Sequence, residues 1–298
     1  MSLRLSFAAL AALLAAACGQ TDLAPAPSQA TAQASATASA PRPIPATPTQ
    51  VELSAPDGRK IDVTVWQAPD ERGVIVFSHG YSGAPAAYER LLARWVEHGF
   101  TVVAPLHVDS TRHPDRARYD PPGAFSTRIA DLAVARGFIK ATRPGKPIVA
   151  AGHSFGSLMS YIQAGALTVA GPQRDPDVRA VIALSSAGDL PGVVLPGAYA
   201  ALDVPLLSIT GDMDLVPGFV SDWRAHRTAF DGSPRGDKTL IIFEGGDHRL
   251  IGNADEQDFD LIVRATRDFL SAHALGDAAA RGRLNRLDAP SGVSIERR

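Results

Sequence analysis

The chain has 298 residues, 45% of them hydrophobic and 20% charged. That is enough apolar material for one large domain or two small ones, and it excludes disorder over most of the length. A formal net charge of -2 at pH 7, with no acidic or basic block, provides no broad field for a polyanion, which excludes nucleic-acid binding as a function class.

In chain order, Arg4 followed by the apolar run Phe7 to Ala17 reads as an export signal, too short to span a bilayer. Ala15-Ala16-Ala17-Cys18 resembles a bacterial lipobox, and Cys18 is the sole cysteine. Residues 1–18 are therefore expected to be a lipoprotein-type signal with Cys18 lipidated. This anchors the protein to a membrane of the bacterial cell envelope, or leaves it secreted if the cysteine is incidental. No disulfide is possible. Residues 19–50 are Ala, Pro, Thr, Ser and Gln with only Asp22 and Arg42 ionisable. They cannot bury enough apolar area to offset their ordering entropy, and are expected to form a disordered tether.

From Val51 to Leu275 the apolar segments alternate in kind. Val51 to Leu53 and Ile61 to Trp66, separated by Asp57-Gly58, read as a hairpin. Gly73–Phe77, Thr101–Pro105, Pro147–Ala151, Arg179–Leu184, Pro205–Ile209 and Thr239–Phe243 are short β-branched runs without alternation, as in strands covered on both faces. Between them lie helical patterns at Ala86–His98, Ser126–Ala141, Phe155–Val169, Phe219–Phe230 and Glu256–His273. Strand and helix taking turns predicts an α/β sheet with helices on both faces. After Gly276 the chain turns polar and Arg-rich, and residues 276–298 are expected to be a solvated tail. In such sheets reactive groups collect in loops at the carboxyl edge of the strands.

One such loop is Gly152-His-Ser154-Phe-Gly156, a G-x-S-x-G match following a strand and opening a helix. The spacing alone is weak. The context is that of a nucleophile elbow, where the two glycines let strand and helix approach and the serine stands clear. The backbone N–H of Phe155 then points where negative charge would develop. A serine hydroxyl needs a base. Of eight histidines, His248 in Glu244-Gly-Gly-Asp-His248 follows the last strong strand, at the same edge. His79 and His153 adjoin tight turns and are expected to orient backbone; His98, His226 and His273 are expected on helix surfaces. The carboxylate that holds the imidazole is expected from Thr210-Gly-Asp212-Met-Asp214, with Asp214 preferred and Asp212 the alternative. The second oxyanion donor is expected to be the N–H of Tyr81, in Ser78-His-Gly-Tyr81-Ser-Gly83.

These four segments, in their order along the chain, resemble the α/β-hydrolase superfamily, and within it the dienelactone-hydrolase-like and bacterial cutinase (polyester hydrolase)-like branch. The likeness covers residues 51–275. It implies an eight-stranded, mostly parallel sheet and ester hydrolysis through an acyl-serine, with Ser154, Asp214 and His248 as triad and Tyr81 and Phe155 as oxyanion donors. The small Ser185-Ser186-Ala187-Gly188, where that branch carries an aromatic, and the lack of disulfides argue against polyester cleavage.

About eighteen residues separate Ser186 from the next strand, too few for a cap domain, so an open cleft is expected. The charged stretch His107–Phe125 is expected to be solvated or to overhang the site. Its His107-x-Asp109 and His113-x-Asp115 pairs lack a scaffold fixing metal-ligand spacing, and neither metal nor cofactor is expected. The substrate expected is a small-molecule or lipid-like ester. The alternatives are a peptidase or amidase of prolyl-oligopeptidase-like type and a non-catalytic binding protein on the same fold.

Overall fold

The computed structural model describes residues 47–298. The export signal, Cys18 and most of the tether lie outside the described residues. Nine strands form one sheet: β1 (Thr49–Ser54), β2 (Lys60–Trp66), β3 (Gly73–Ser78), β4 (Phe100–Pro105), β5 (Ile148–His153), β6 (Val178–Leu184), β7 (Leu206–Gly211), β8 (Lys238–Phe243) and β9 (Val293–Arg297). Their spatial order is β1-β2-β4-β3-β5-β6-β7-β8-β9. The six strands from β4 across to β8 pair in parallel, whereas β1, β2 and β9 run antiparallel at the two edges.

Every residue of β3, β4, β5, β7 and β8 is buried, which explains their unbroken apolar sequences. Successive side chains still point to opposite faces. Val74 and Val76 join a core with Phe125, Leu132 and Leu158 on one side of the sheet. Ile75 and Phe77 join Leu91, Trp95, Ile262 and Phe269 on the other. The α-helices among the described residues are α1 (Glu89–Glu97), α2 (Pro121–Thr142), α3 (Phe155–Ala164), α4 (Thr228–Gly232), α5 (Leu250–Asn253), α6 (Glu256–Ala274) and α7 (Ala278–Asn285).

Helix boundaries differ from the sequence expectation where capping decides them. Helix α2 begins five residues before Ser126 because Pro121 and Pro122 occupy its first turn, where an absent N–H costs nothing, and Asp120 accepts a bond from the N–H of Gly123 at 2.8 Å. Helix α3 ends at Ala164 rather than Val169, since Gly165 adopts φ +121° and packs against the carbonyl of Ala201. The helix expected at Phe219–Phe230 is a 3-10 turn, Trp223–Arg227, continued by α4.

Residues 276–298 are not a solvated tail. They form α7 and β9, and β9 makes the sheet nine-stranded instead of eight. The arginines that suggested solvation are hydrogen-bond donors here. Arg297 donates to the carbonyls of Leu284 and Leu287 at 3.1 and 2.9 Å, Arg298 donates to the carbonyl of Phe230 at 2.8 Å, and Glu296 pairs with Arg227 at 2.8 Å. No separate cap element occupies the segment between β6 and β7, whose regular structure is one 3-10 turn, Ala198–Ala201. None of the helices among the described residues is long and apolar enough to cross a membrane.

Removing residues 287–298 strips β8 of its outer partner and bares an apolar strand edge. The shortened chain is expected to lose soluble yield relative to the full chain; an equally soluble product would mean that β9 contributes nothing to the sheet.

Candidate active site

Ser154 lies between β5 and α3 with φ 53° and ψ -121°, a conformation that costs a non-glycine residue on the order of 1–3 kcal/mol. Its surroundings impose it. The Ser154 N–H donates to the carbonyl of Leu184 at 2.9 Å, and Ser157 bonds both to the Gly152 carbonyl at 2.8 Å and to that of Leu184 at 3.0 Å. A Cβ on Gly156 would fall 1.9 Å from the Ser78 carbonyl oxygen, and one on Gly152 would fall 2.2 Å from that of Gly156. Glycine at both positions is thus a packing requirement, and it brings the loop after β3 against the start of α3.

The loops after β7 and β8 are joined in the same way. A Cβ on Gly211 would lie 2.0 Å from the Gly246 carbonyl oxygen, and the N–H of Met213 donates to that carbonyl at 3.0 Å. This contact carries Asp214 to His248, whose Nδ1 lies 2.7 Å from Asp214 Oδ1. Thr210 donates its hydroxyl to Oδ2 of the same carboxylate at 2.8 Å. Asp212, the alternative acid, points elsewhere and accepts a bond from the N–H of Gly245 at 2.7 Å. Asp214 is fully buried, which alone would raise its pKa, but hydrogen bonds and charge from His226 and His248 hold it well below the usual carboxylate range.

His153, next in the chain to Ser154, fastens the histidine loop. Its Nε2 donates to the His248 carbonyl at 3.0 Å, and its ring lies 4.8 Å from that of His248. Its Nδ1 accepts from the Tyr88 hydroxyl at 3.0 Å, and Tyr88 in turn accepts from the N–H of Gly80 at 3.1 Å. Burial pushes its pKa down to about 3, so the ring is neutral and these roles are fixed. Among the described residues the Ser154 hydroxyl makes no hydrogen bond to His248, and the N–H groups of Tyr81 and Phe155 donate to no protein acceptor. Tyr81 and Phe155 line, with Ser154, a pocket open to solvent and completed by Pro121, Ala187, Leu190, Val216, Phe219 and Val220. The lining carries no carboxylate, lysine or arginine.

Two parts of the site were not legible in the sequence. The first is Arg128 on α2, buried completely under the loop after β3. It grips Asp109 through two bonds of 2.7 and 2.8 Å and donates to the carbonyls of His79 at 2.7 Å and Gly80 at 3.1 Å. Asp109 also accepts from the N–H of Ser82 at 2.9 Å, so the pair fixes the loop on either side of Tyr81. His79 and His107 belong to this network, the N–H of His107 donating to His79 Nε2 at 3.1 Å; burial holds both rings well below the ordinary histidine pKa. The stretch from His107 is therefore buried at its start, contrary to the solvated loop expected, and exposed only further along.

The second is His226, expected on a helix surface and found buried against Asp214. Asp214, His226 and His248 present ligand-type atoms within 4.8 Å of one another, yet these atoms are engaged in bonds among themselves and to backbone carbonyls, so the set does not fit a metal ion.

Residues 69–199 match the family model described as serine aminopeptidase, S33, a hydrolase model. Among solved structures, the Pyrococcus furiosus esterase Pf2001 is similar with a TM-score of 0.59 at 16% identity, over 76% of this chain and 93% of that one. Curated proteins yield no match. With the topology above, these likenesses place the chain in the α/β-hydrolase fold.

Replacing Arg128 by Met leaves Asp109 as an uncompensated buried carboxylate, a change expected to cost about 3–5 kcal/mol. A urea titration should show the fall as a lowered midpoint; a variant within about 1 kcal/mol of the parent would contradict the buried pairing.

Proposed function

We propose that the protein is a serine hydrolase that cleaves carboxylic esters with apolar acyl groups through an acyl-serine intermediate. The observation that carries this is the Asp214–His248 bond of 2.7 Å, whose histidine is fastened through its carbonyl to His153, the neighbour of the Ser154 that lines an apolar pocket. With Nδ1 donating to Asp214, Nε2 is the basic nitrogen and is left for the Ser154 hydroxyl. The two come within hydrogen-bond reach when substrate fills the site, as such contacts tighten in complexes.

In the first step His248 Nε2 takes the proton of Ser154 Oγ as the oxygen bonds to the ester carbonyl carbon. The resulting oxyanion is held by the N–H groups of Tyr81 and Phe155. His248 then returns the proton to the departing alcohol, and a water activated by the same nitrogen releases the acid and restores Ser154. Asp214 keeps its charge throughout and stabilises the imidazolium. No cofactor enters these steps.

A peptidase is the second reading, favoured by the description of the matched family model. An aminopeptidase has to bind a free α-ammonium group, and a carboxylate is the usual partner for it. The cavity lining has none, which favours an uncharged acyl chain. We further propose that the hydrolase is exported and tethered to the membrane through lipidated Cys18.

Ser154→Ala is expected to lower turnover of p-nitrophenyl butyrate by on the order of 10³-fold or more while leaving the melting temperature at or above that of the parent, because the strained residue loses no packing. Normal turnover would sink the assignment, and failure of Ser154 to react with a fluorophosphonate probe would point to a non-catalytic protein. Faster cleavage of an amino-acyl anilide than of the ester would move the assignment to the peptidase. For the anchor, Cys18→Ser should shift the protein from the membrane pellet to the soluble fraction; unchanged pelleting would exclude lipidation at that residue.

A further inference from the structure

His226 lies 12 residues beyond Asp214 on a 3-10 turn, and its ring is fully buried. Its Nε2 sits 2.7 Å from the Asp214 carbonyl oxygen and 2.9 Å from Asp214 Oδ1. Its Nδ1 bonds to the Ser186 carbonyl oxygen. All three partners can only accept hydrogen bonds when the carboxylate is ionised. A neutral imidazole carries a single N–H, so one ring nitrogen would aim a lone pair at a buried carbonyl oxygen. Only the doubly protonated ring satisfies both ends.

The rest of its surroundings permits a cation. Asp214 supplies the negative charge. His153 faces the site as a neutral ring, and His248 stacks at 6.1 Å with an interplanar angle of 23°. On its own turn, Arg224 is turned to Asp222, and Arg227 to Asp231 and Glu296, and neither guanidinium bonds to the ring among the described residues. Burial opposes the charge, but hydrogen bonds and charge from Asp214 outweigh it and raise the pKa above the ordinary histidine value.

We propose that His226 is a doubly protonated positioning residue that shares Asp214 with His248 and so tunes His248 as a base. The inference rests on the triad reading above. With a fixed cation already on the carboxylate, protonating His248 places two imidazolium rings on one Asp, and like charges at this separation disfavour that state. The protonated form, once made in the transition state, gives its proton to the leaving alcohol more readily. His226 touches no reacting atom and acts only through Asp214.

Two measurements decide the matter. Long-range ¹H–¹⁵N correlation of the ring nitrogens in the full chain at pH 8 should show one histidine, absent from the His226→Gln spectrum, with protons on both nitrogens; a neutral-tautomer pattern for that residue overturns the proposal whether or not the protein hydrolyses esters. In the pH profile of kcat/KM, His226→Gln keeps one donor toward Asp214 but loses the charge, and should move the acid limb up by about one pH unit. An acid limb that stays in place in the folded variant also overturns it. Should the Gln variant not fold, His226→Asn supplies the profile and the spectrum of the parent still decides the charge. Absence of ester turnover in the parent, with the doubly protonated signal present, rejects the hydrolase reading and leaves the buried imidazolium standing.

Discussion

The closeness of backbone to backbone at three glycines is the constraint on which the site depends. At Gly152 and Gly156 the strand β5, the helix α3 and the end of β3 approach until no side chain fits between them, and at Gly211 the loop after β7 meets Gly246 in the same way. These contacts place the loops that carry Ser154, Tyr81, Asp214 and His248 at one edge of the sheet. The strain at Ser154 is held by that frame; a few buried bonds and the packing of two helices offset a cost of about 1–3 kcal/mol.

Above this frame the loops are fixed by polar groups out of contact with water. Arg128 binds Asp109 and two carbonyls of the loop after β3, and the Tyr88–His153 relay ties that loop to the carbonyl of His248. Such groups add little net stability, because desolvation offsets most of the attraction. Their value lies in direction. An apolar filler would pack as well but would leave the loop carbonyls unsatisfied, whereas a guanidinium admits one arrangement of its acceptors.

The sheet, the crossover order and the elbow were readable because each writes a local signal: unbroken β-branched runs for doubly covered strands, and paired glycines around a serine between strand and helix. His226 and Arg128 write none. Their partners arrive from other strands, and in the sequence each sits in a segment with ordinary helical periodicity. The ninth strand, Val293–Arg297, escaped because an edge strand needs few apolar residues, and because arginines that donate to helix-end carbonyls look in sequence like solvated ones. The early start of α2 was hidden by two prolines that signal a loop everywhere except in a helix's first turn.

The left-handed geometry at Ser154 also narrows what evolution can place there. A β-branched residue such as threonine, whose second substituent on Cβ meets the backbone at φ 53°, is disfavoured, and bulkier groups would close the mouth of the cavity. Short, unbranched side chains remain, and among those with a nucleophilic atom that means serine, cysteine and aspartate. On the role proposed for Ser154, the chemistries reachable from this scaffold by a single replacement at that position are those of an oxygen, a thiolate or a carboxylate nucleophile.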